Sequence, residues 1–277
     1  MIVVESQQVG HGRVGWACTG VGQSVCYNIS LRCRCYPPTF DPLEIYAAGI
    51  DQSDYVQRVC PLIAPLVQPI GDLLDVGAGG GQLGHALQPV RARWHAIEPS
   101  PIMRRRLRRH RSAPARIVAR RWEDLTPDGA CCDTLLAANI AAPLTDAGRF
   151  LAACRAWARR AIVWVVPAQN GPRGLCLAGC LPREWHGEDE TPGVDLVLRA
   201  LTPEQQPRSV SFADWTFRST VADLAALSTY LATRLGWPDD DARRPALLSH
   251  LRAIARPLDS GYRLDVPRRS AILHWSL

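Results

Sequence analysis

The stretch LLDVGAGGGQLG, residues 73–84, decides the fold of this chain. Its first four residues are a short, mostly apolar run, as in a strand buried within a parallel sheet, and the glycines that follow predict a tight turn. In such a turn the backbone N–H groups can approach a ligand where a Cβ would intrude, and a helix is predicted to begin just after it. Dehydrogenases, nucleotide-binding loops and simple tight turns also use glycine clusters, so the neighbouring residues must decide between them.

Strand-like and helical segments alternate on both sides of this stretch. A helix is predicted from residue 51 to residue 66, and Pro69 and Gly71, just beyond it, prevent its continuation. Downstream, the predicted strands WHAIEPS, ARIVARRWEDL, CCDTLLAANI and AIVWVVP alternate with the predicted helices PIMRRRLRRHR and DAGRFLAACRAWARR. This alternation predicts an α/β fold with a doubly wound parallel sheet and right-handed crossovers.

The alternation breaks down after Pro167. Residues 168–206 are rich in proline, glycine and acids, which favours an inserted loop or lid. A strand at 208–217, two helices at 221–235 and 241–255, and a closing hairpin of YRLDVP with SAILHWS complete the prediction. We therefore expect a mostly parallel sheet with a C-terminal helical insertion and a closing hairpin.

The expected domain organisation is simple. Residues 41–277 are predicted to form a single domain, with 72–166 as the cofactor-binding half and 167–260 as the lid and helical substrate-side insertion. Residues 1–40 lack a clear period and are interpreted as a poorly structured or non-native extension. Four cysteines there could complete a zinc site, but their only close pair is C-x-C, whereas zinc sites favour C-x2-C, so no metal is predicted. They are Cys18, Cys26, Cys33 and Cys35.

Composition restricts the location and the partners. No apolar stretch approaches the roughly 18 residues of a membrane span, and the N-terminus lacks the basic start and apolar core of a secretory signal. Ten cysteines show no regular disulfide framework. We expect a soluble, cytoplasmic protein without a membrane partner; nothing in the sequence indicates its oligomeric state.

All of the positive side-chain charge comes from arginine, since the chain contains no lysine, and this indicates a compositional bias. Nine arginines and no acid lie between Pro101 and Arg121. Such a patch is either the solvated face of a helix, which we favour, or a docking surface for nucleic acid or an acidic substrate.

Two acids flank the glycine turn. Asp75 lies two residues before Gly77, at the carboxyl end of the first predicted strand. A carboxylate there would repel a dinucleotide pyrophosphate and attract a cationic amino-acid group, directly or through water, which favours S-adenosylmethionine. Glu98 ends the second predicted strand, seventeen residues after Gly81, where a carboxylate can accept both hydroxyls of a ribose. NAD-binding proteins share that acid, so Glu98 indicates a ribose without choosing the cofactor.

In motif, order and spacing, residues 51–166 resemble the class I S-adenosylmethionine-dependent methyltransferases, which have a Rossmann-like fold. LLDVGAGGGQLG is similar to the first motif of that family, and AIEPS to the second, whose acid binds the ribose. RWEDL resembles the loop that lines the adenine after the third strand, and CDTLLAANI resembles the fourth-strand motif. The resemblance implies a mostly parallel, seven-stranded sheet of the class I methyltransferase type, S-adenosylmethionine as cofactor and S-adenosylhomocysteine as product.

The resemblance also implies a set of cofactor-binding residues. These are Asp75, Gly77, Ala78, Gly79, Gly81, Glu98, Pro99, Trp122, Glu123 and Asn139. Glu123 or Asp124 would take the exocyclic amine of the adenine, Trp122 could stack on it, and Asn139 would lie at the mouth of the site. Ordinary structural roles are the alternative, such as core packing for Trp122 or capping of the turn for Asp75.

The sequence contains no motif that identifies the methyl acceptor. NIAAP at residues 139–143 stands where the amino-methylating nucleic-acid members of the family carry [N/D]-P-P-[Y/F], and no cysteine has the proline-cysteine context of the RNA-cytosine members. The cluster WHGEDE at 185–190 is predicted to be a substrate lid, because ligands bind outside the carboxyl ends of the strands. There His186 is a candidate general base and Glu188 a candidate to orient it, the alternative being a solvated acidic loop.

Three functional hypotheses follow. The favoured one is methyl transfer to a small-molecule acceptor, because the additional sequence is lid-like and no polymer-binding module is recognisable. The second is a methyltransferase acting on RNA or on a protein through the arginine-rich segment. The third is a non-catalytic binding or scaffold protein that retains the fold, and the intact turn and acids argue against it.

Overall fold

The structure, a computed structural model, describes residues 41–88, 91–140, 144–173 and 176–277. The extension predicted at residues 1–40 and its four candidate zinc ligands lie outside the described residues. From residue 41 onward the described residues belong to one compact unit. The finer division into a cofactor half and a lid stays a prediction.

One mixed sheet organises the described part of the chain. Its strands are β1 Leu73–Val76, β2 Trp94–Ile97, β3 Arg116–Val118, β4 Cys132–Ala138, β5 Ala158–Pro167, β6 Ser209–Val221, β7 Arg256–Leu258 and β8 Gly261–Ser276. Seven strands lie side by side in the order β3-β2-β1-β4-β5-β8-β6, and the short β7 pairs with the start of β8. Strands β1 to β5 pair in parallel, whereas β8 runs antiparallel to both of its neighbours. The prediction of a mostly parallel, seven-stranded sheet is confirmed, with β7 as an addition.

Helices cover both faces of this sheet. They are α1 Pro42–Gln52, α2 Tyr55–Ile63, α3 Gln82–Leu87, α4 Pro101–Leu107, α5 Ala147–Trp157, α6 Arg183–His186, α7 Gly193–Ala200, α8 Leu224–Arg234 and α9 Arg243–Ile254. One apolar core holds side chains of α1, α2, α3, α8 and α9, and the other holds those of α5 and α7. Alternation along β1 divides its residues between the cores: Leu73 belongs to the first core, and Leu74 and Val76 to the second.

The helix predicted at 51–66 corresponds to α2, which continues as a 3-10 turn to Val67. The separate helix α1 before it was not predicted. Its buried residues are small or isolated, namely Ala47, Gly49 and Ile50, so the sequence shows no strong apolar period there. The side chain of Asp41 caps its first turn by accepting hydrogen bonds from two backbone N–H groups.

The closing hairpin differs from its prediction. YRLDVP and SAILHWS were expected to be paired strands, but both belong to the single strand β8, and the hairpin consists of β7 with the start of β8. The break was predicted at PRR, residues 267–269, because proline is typical of turns. However, β8 pairs with β5 only from Ser270 onward, so Pro267 has β6 as its neighbour on one side only, and proline is tolerated at such a position.

The loop predicted at 168–206 is also partly wrong, because residues of α7 form a core helix. Val194 and Val197 are 4% and 0% exposed and pack in the same core as α5. Burying a valine side chain contributes about 1.5 to 3 kcal/mol, so packing against α5 stabilises this short helix. The sequence signal was weak because α7 has only 8 residues and proline precedes it. No helix in the described ranges is both long enough and apolar enough to span a bilayer.

Candidate functional site

The glycine turn lies at the carboxyl edge of the sheet, between β1 and α3. The backbone N–H groups of Gly77 and Ala78 donate to the carbonyl oxygen of Ile97, at 2.8 and 3.2 Å, which fastens the turn to β2. Gly79 has a φ of +56°, and a Cβ added there would meet no atom within 4 Å. The turn therefore exposes its backbone to open space at Gly79, as a ligand-binding turn requires.

Helix α3 packs directly on the strands behind this turn. Gly81, with a φ of +84°, is the N-cap residue of the helix. A Cβ at Gly84 would lie 2.3 Å from Oδ2 of Asp75 and 2.7 Å from the Trp94 ring. Only a glycine at position 84 allows this approach, so the height of α3 above β1 is set by the sequence of the first motif.

Glu98 directly follows β2 and lies beside the turn. Its carboxylate is only 5% exposed and accepts two backbone hydrogen bonds, from Gly79 at 2.8 Å and from Ser100 at 2.7 Å. Burial raises the pKa of Glu98, while these hydrogen bonds and the Arg104 charge oppose the rise. Each carboxylate oxygen has a second lone pair, so the group can still accept hydroxyls from a ligand in the open space next to Gly79.

Asp75 lies near the carboxyl end of β1, as the sequence predicted. It is 3% exposed, and burial, followed by the nearby Glu98 charge, raises its pKa to about 8. A carboxyl with that pKa is mostly protonated at neutral pH. A cationic ligand group beside Asp75 would lower this pKa again, so attraction of the methionine end of S-adenosylmethionine by an ionised Asp75 stays a prediction.

The predicted adenine-side residues follow β3. Trp122 is half-buried: its ring meets Phe150 edge-on, with centroids 4.9 Å apart, and the Arg149 guanidinium lies over it at 5.7 Å. The Glu123 carboxylate faces Arg121 at 3.4 Å. Trp122 thus has the core contacts of a structural residue, and stacking on an adenine stays a prediction.

Asn139 directly follows β4. Among the described residues other than glycine, it alone has a positive φ, at 51°. Asparagine tolerates this conformation better than most residues. Its Nδ2 donates to the Tyr55 hydroxyl at 3.1 Å, and the Tyr55 ring packs against Trp215 with centroids 4.7 Å apart. Tyr46 completes the group through its hydroxyl, which interacts with Asn139.

These two tyrosines were missed by the sequence reasoning. Burial raises the pKa of both hydroxyls, so both are neutral at physiological pH. They come from α1 and α2, which precede the first motif, and the contact between Tyr55 and Asn139 joins residues 84 positions apart. No local sequence pattern marks a contact at that separation.

Arg268 and Cys176 extend the same group and were also missed. The electrostatic effect of Cys176 reaches both tyrosines, and that of Arg268 reaches Tyr46. Arg268 lies on β8 and is 6% exposed, and its guanidinium interacts with the Cys176 thiol. We call Tyr46, Tyr55, Asn139, Cys176 and Arg268 the polar cluster.

His186 ends the short helix α6 and is buried. Its Nδ1 accepts the backbone N–H of Glu188 at 3.1 Å, and its Nε2 lies 3.4 Å from the Glu190 carboxylate. Both ring nitrogens are thus engaged within the loop, which favours a structural role, and general-base catalysis by His186 stays a prediction. The charge of Glu188 reaches Cys176, so this acid lies near the polar cluster. No group of three His, Cys, Asp or Glu residues within the described ranges is placed to hold a metal ion.

The arginine-rich segment is largely solvated. Arg104 donates to the carbonyls of Glu98 and Pro99, and Arg106 pairs with Asp51. The other seven arginines between 101 and 121 are exposed. Arg104 therefore supports the backbone at the second motif, and most of its neighbours form a solvated face.

Comparisons with known proteins give structural likenesses. No protein-family model matches the chain, and no curated protein matches it. A protein provisionally described as a type II methyltransferase from Anaeromyxobacter dehalogenans is 22% identical over 74% of this chain and 89% of its own, with a TM-score of 0.43. Magnesium protoporphyrin IX methyltransferase from Synechocystis PCC 6803, solved with bound S-adenosylhomocysteine, is 12% identical over 83% and 85%, with a TM-score of 0.42.

The plantazolicin methyltransferase, in complex with a monoazolic substrate analogue and S-adenosylhomocysteine, is 12% identical over 83% of this chain and 88% of its own, with a TM-score of 0.44. The fold class itself is defined by the sheet. The order β3-β2-β1-β4-β5-β8-β6, with the antiparallel strand next to last, is that of the class I methyltransferases. The resemblance inferred from the sequence is thus confirmed for the fold, and S-adenosylmethionine is the cofactor of that class.

Proposed function

We propose that this protein is an S-adenosylmethionine-dependent methyltransferase that acts on a small-molecule acceptor. The observation that carries the proposal is the buried Glu98 carboxylate, which accepts the Gly79 N–H beside the open side of the turn. A ribose in that space would find a hydroxyl acceptor and exposed backbone together. Both residues lie at the carboxyl edge of the sheet, and ligands of such folds bind outside that edge, which supports the proposal.

The residues present fit the cofactor. The absence of a Cβ at Gly79 leaves room for it, Glu98 would accept the ribose hydroxyls, and Pro99, Trp122 and Glu123 would line the adenine side. S-adenosylmethionine supplies an electrophilic methyl group when bound. A protonated Asp75 would act as a hydrogen-bonding group beneath the turn and could become ionised beside the cationic methionine end of the cofactor.

The polar cluster is the proposed acceptor side. Methyl transfer is an in-line displacement, so the protein must align a nucleophile and exclude water, and few dedicated catalytic residues are required. A hydrogen bond joins Asn139 to the Tyr55 hydroxyl at the carboxyl end of β4. The packed rings of Tyr55 and Trp215 shield this hydrogen bond from water. Neutral hydroxyl and amide groups of this kind orient an acceptor through hydrogen bonds.

Two alternatives have specific tests. The exposed arginines would support a methyltransferase acting on RNA or on a protein, and a non-catalytic binding protein would retain the fold without transfer.

We also propose a cytoplasmic location, which the unpatterned cysteines of the sequence support.

Calorimetric titration of S-adenosylmethionine and S-adenosylhomocysteine tests the proposal. We expect micromolar binding by the wild type and its loss in Gly79→Val, because a branched side chain at positive φ would enter the ligand space. Gly129→Val is the matched control: Gly129 lies before the amino end of β4, has a φ of +133°, and a Cβ there would also meet no atom within 4 Å. Absence of binding by the wild type would leave only the scaffold hypothesis.

Methyl-labelled S-adenosylmethionine then separates the acceptor classes. The protein is incubated with a metabolite extract, with total RNA and with total protein, and the label is followed into each fraction. We expect transfer to the metabolite fraction alone. Label in RNA, together with binding of a 20-nucleotide RNA that weakens steeply between 50 and 200 mM salt, would instead establish the nucleic-acid alternative.

A further inference from the structure

Arg268 is a buried cation whose contacts are with neutral groups. Its Nη1 donates to the carbonyl oxygen of Pro172 at 3.1 Å, and its Nη2 lies 3.2 Å from the Gln169 amide oxygen in the orientation that satisfies both groups. The guanidinium also interacts with the thiol of Cys176. A guanidinium has five N–H groups, so these three contacts leave donors for another acceptor.

The charge of Arg268 has no counter-charge in contact. Within the described ranges, none of the ion pairs shorter than 4.0 Å includes Arg268, and the charge of the nearby Glu188 acts on Cys176. The arginines on either side along β8 differ: Arg263 lies 3.2 Å from Asp265, and Arg269 lies 3.6 Å from Asp214. Burying a cation without a partner is unfavourable, and such groups are normally paired with an acid or with a ligand.

The position of Arg268 in the sheet places it on the acceptor side. Arg268 pairs with Trp215 of the neighbouring strand β6. Two residues later, Ser270 of β8 pairs with the last residue of β5. Arg268 is therefore beyond the carboxyl end of β5, on the edge that holds Asn139. Its charge acts on Tyr46, which interacts with Asn139, so the cation belongs to the same polar cluster as the groups proposed to orient the acceptor.

We propose that Arg268 binds a carboxylate of the methyl acceptor, which makes the substrate a carboxylic acid. This inference rests on the proposed function. A carboxylate fits because a guanidinium binds it through two parallel hydrogen bonds and because one cation balances one carboxylate. A phosphate dianion fits less well, because the remaining members of the polar cluster carry no positive charge.

A structural role is the competing explanation, since Arg268 holds Pro172 and the 3-10 turn that begins at Cys176. A Cβ at Gly179 in that turn would lie 3.1 Å from Nη1 of Arg268, which shows how closely the turn covers it. A purely structural cation would not distinguish an acid from its amide, so the test uses this distinction.

The probes are benzoate with benzamide and hexanoate with hexanamide, titrated by ligand-observed NMR in the presence and absence of saturating S-adenosylhomocysteine. Wild type, R268Q, R268K and R269Q are compared, and the melting temperature of each is recorded. Arg269 is the matched control, because successive side chains of a strand point to opposite faces and Arg269 has its own acid.

We expect the wild type and R269Q to bind at least one acid tenfold or more tightly than its amide. R268Q should lose this preference with the amide affinity unchanged, and R268K should retain part of it. Equal binding of acid and amide by the wild type, or a preference that survives in R268Q, would overturn the proposal. If R268Q does not melt cooperatively, the wild-type preference and its reduction in R268K decide.

The same samples separate this proposal from the proposed function. Wild type that binds no S-adenosylhomocysteine refutes the methyltransferase proposal, and the acid preference measured without that ligand still reports on Arg268. Retained S-adenosylhomocysteine binding in R268Q, with the acid preference lost, supports both.

Discussion

At the scale of single residues, Glu98 is the side chain on which cofactor affinity should depend most. Glu98→Gln keeps the shape of the side chain but removes its charge and one acceptor oxygen. In the wild type the N–H groups of Gly79 and Ser100 each bond to their own carboxylate oxygen, and in the variant they would compete for the single amide oxygen. Hydrogen bonds to charged groups contribute about 1.5 to 3 kcal/mol, so we expect S-adenosylhomocysteine to bind roughly 10 to 100 times more weakly. Calorimetry measures this, with Asp214→Asn, at an exposed acid of β6, as the control. Unchanged affinity in Glu98→Gln would show that Glu98 does not contact the ribose.

Asp75 should give the stability a pH dependence of unusual sign. Its pKa is 3.8 in a model peptide and about 8 in the folded chain, so between these values the folded state holds the extra proton. The free energy of unfolding therefore falls as pH rises from about 4 to 8, by up to about 1.4 kcal/mol per pH unit, and levels off above. Asp75→Asn does not titrate and should lack this slope.

Urea denaturation at pH 5, 6, 7 and 8 checks this prediction: the advantage of Asp75→Asn over the wild type should widen toward pH 8. Asp72→Asn is the control, because Arg93 lowers the pKa of Asp72 and its contribution is constant over this range. Parallel profiles for the wild type and Asp75→Asn would mean that Asp75 is already ionised in the folded protein.

The residues recognised from sequence are those whose role follows from a local pattern. Asp75 and Glu98 each end a strand beside a turn, and strand ends can be located from apolar runs and glycines. Tyr46, Tyr55 and Arg268 have no such mark, because they reach the site only through the packing of α1, α2 and β8 on the sheet. The raised pKa of Asp75 was equally inaccessible, since it depends on burial by α3 and on the distance to Glu98.

At the scale of elements, the seating of α3 on β1 depends on Gly84. Alanine normally favours a helix by about 1 kcal/mol over glycine, but here its Cβ would lie within 2.3 Å of Asp75. We expect Gly84→Ala to lower the free energy of unfolding by about 1 to 3 kcal/mol and to weaken cofactor binding, because the helix and its turn must shift. In Gly148→Ala, on α5, the nearest atom is 3.5 Å away, so that variant should be neutral or slightly more stable. Equal stability of the two variants in urea would contradict this.

Elements were predicted well where the chain alternates regularly and poorly elsewhere. β1 to β5 follow from apolar runs bounded by glycine, proline or charge, and α5 from its period. α7 was taken for a loop because its short apolar face is flanked by prolines, and β8 was divided at Pro267 because its one-sided pairing there is a tertiary property. Secondary-structure propensity is a property of the segment itself. The two wrong predictions arose because the conformation of these segments depends on what they pack against.

At the scale of the whole molecule, binding at the turn should stabilise the entire domain, because its residues belong to one compact unit. Ligand at 100 times its dissociation constant adds about 2.7 kcal/mol, which corresponds to roughly 5 to 10 °C in melting temperature for a domain of this size. Differential scanning fluorimetry with S-adenosylhomocysteine should show this rise in the wild type and in Gly129→Val. It should be absent in Gly79→Val, and a similar rise in that variant would place the ligand elsewhere.

The position of β8 also governs how the protein can be made. β8 lies between β5 and β6, yet it follows the end of β6 by forty residues. On the ribosome, β1 to β5 can pair as they emerge, whereas β6 has no neighbour to join until β8 has been synthesised. The nascent chain therefore exposes two unpaired strand edges for that interval, which is the condition under which chaperones are recruited and aggregation begins. The glycine turn and Glu98 can be in place during this interval, but the acceptor side, which includes Arg268, can form only once β8 has closed the sheet.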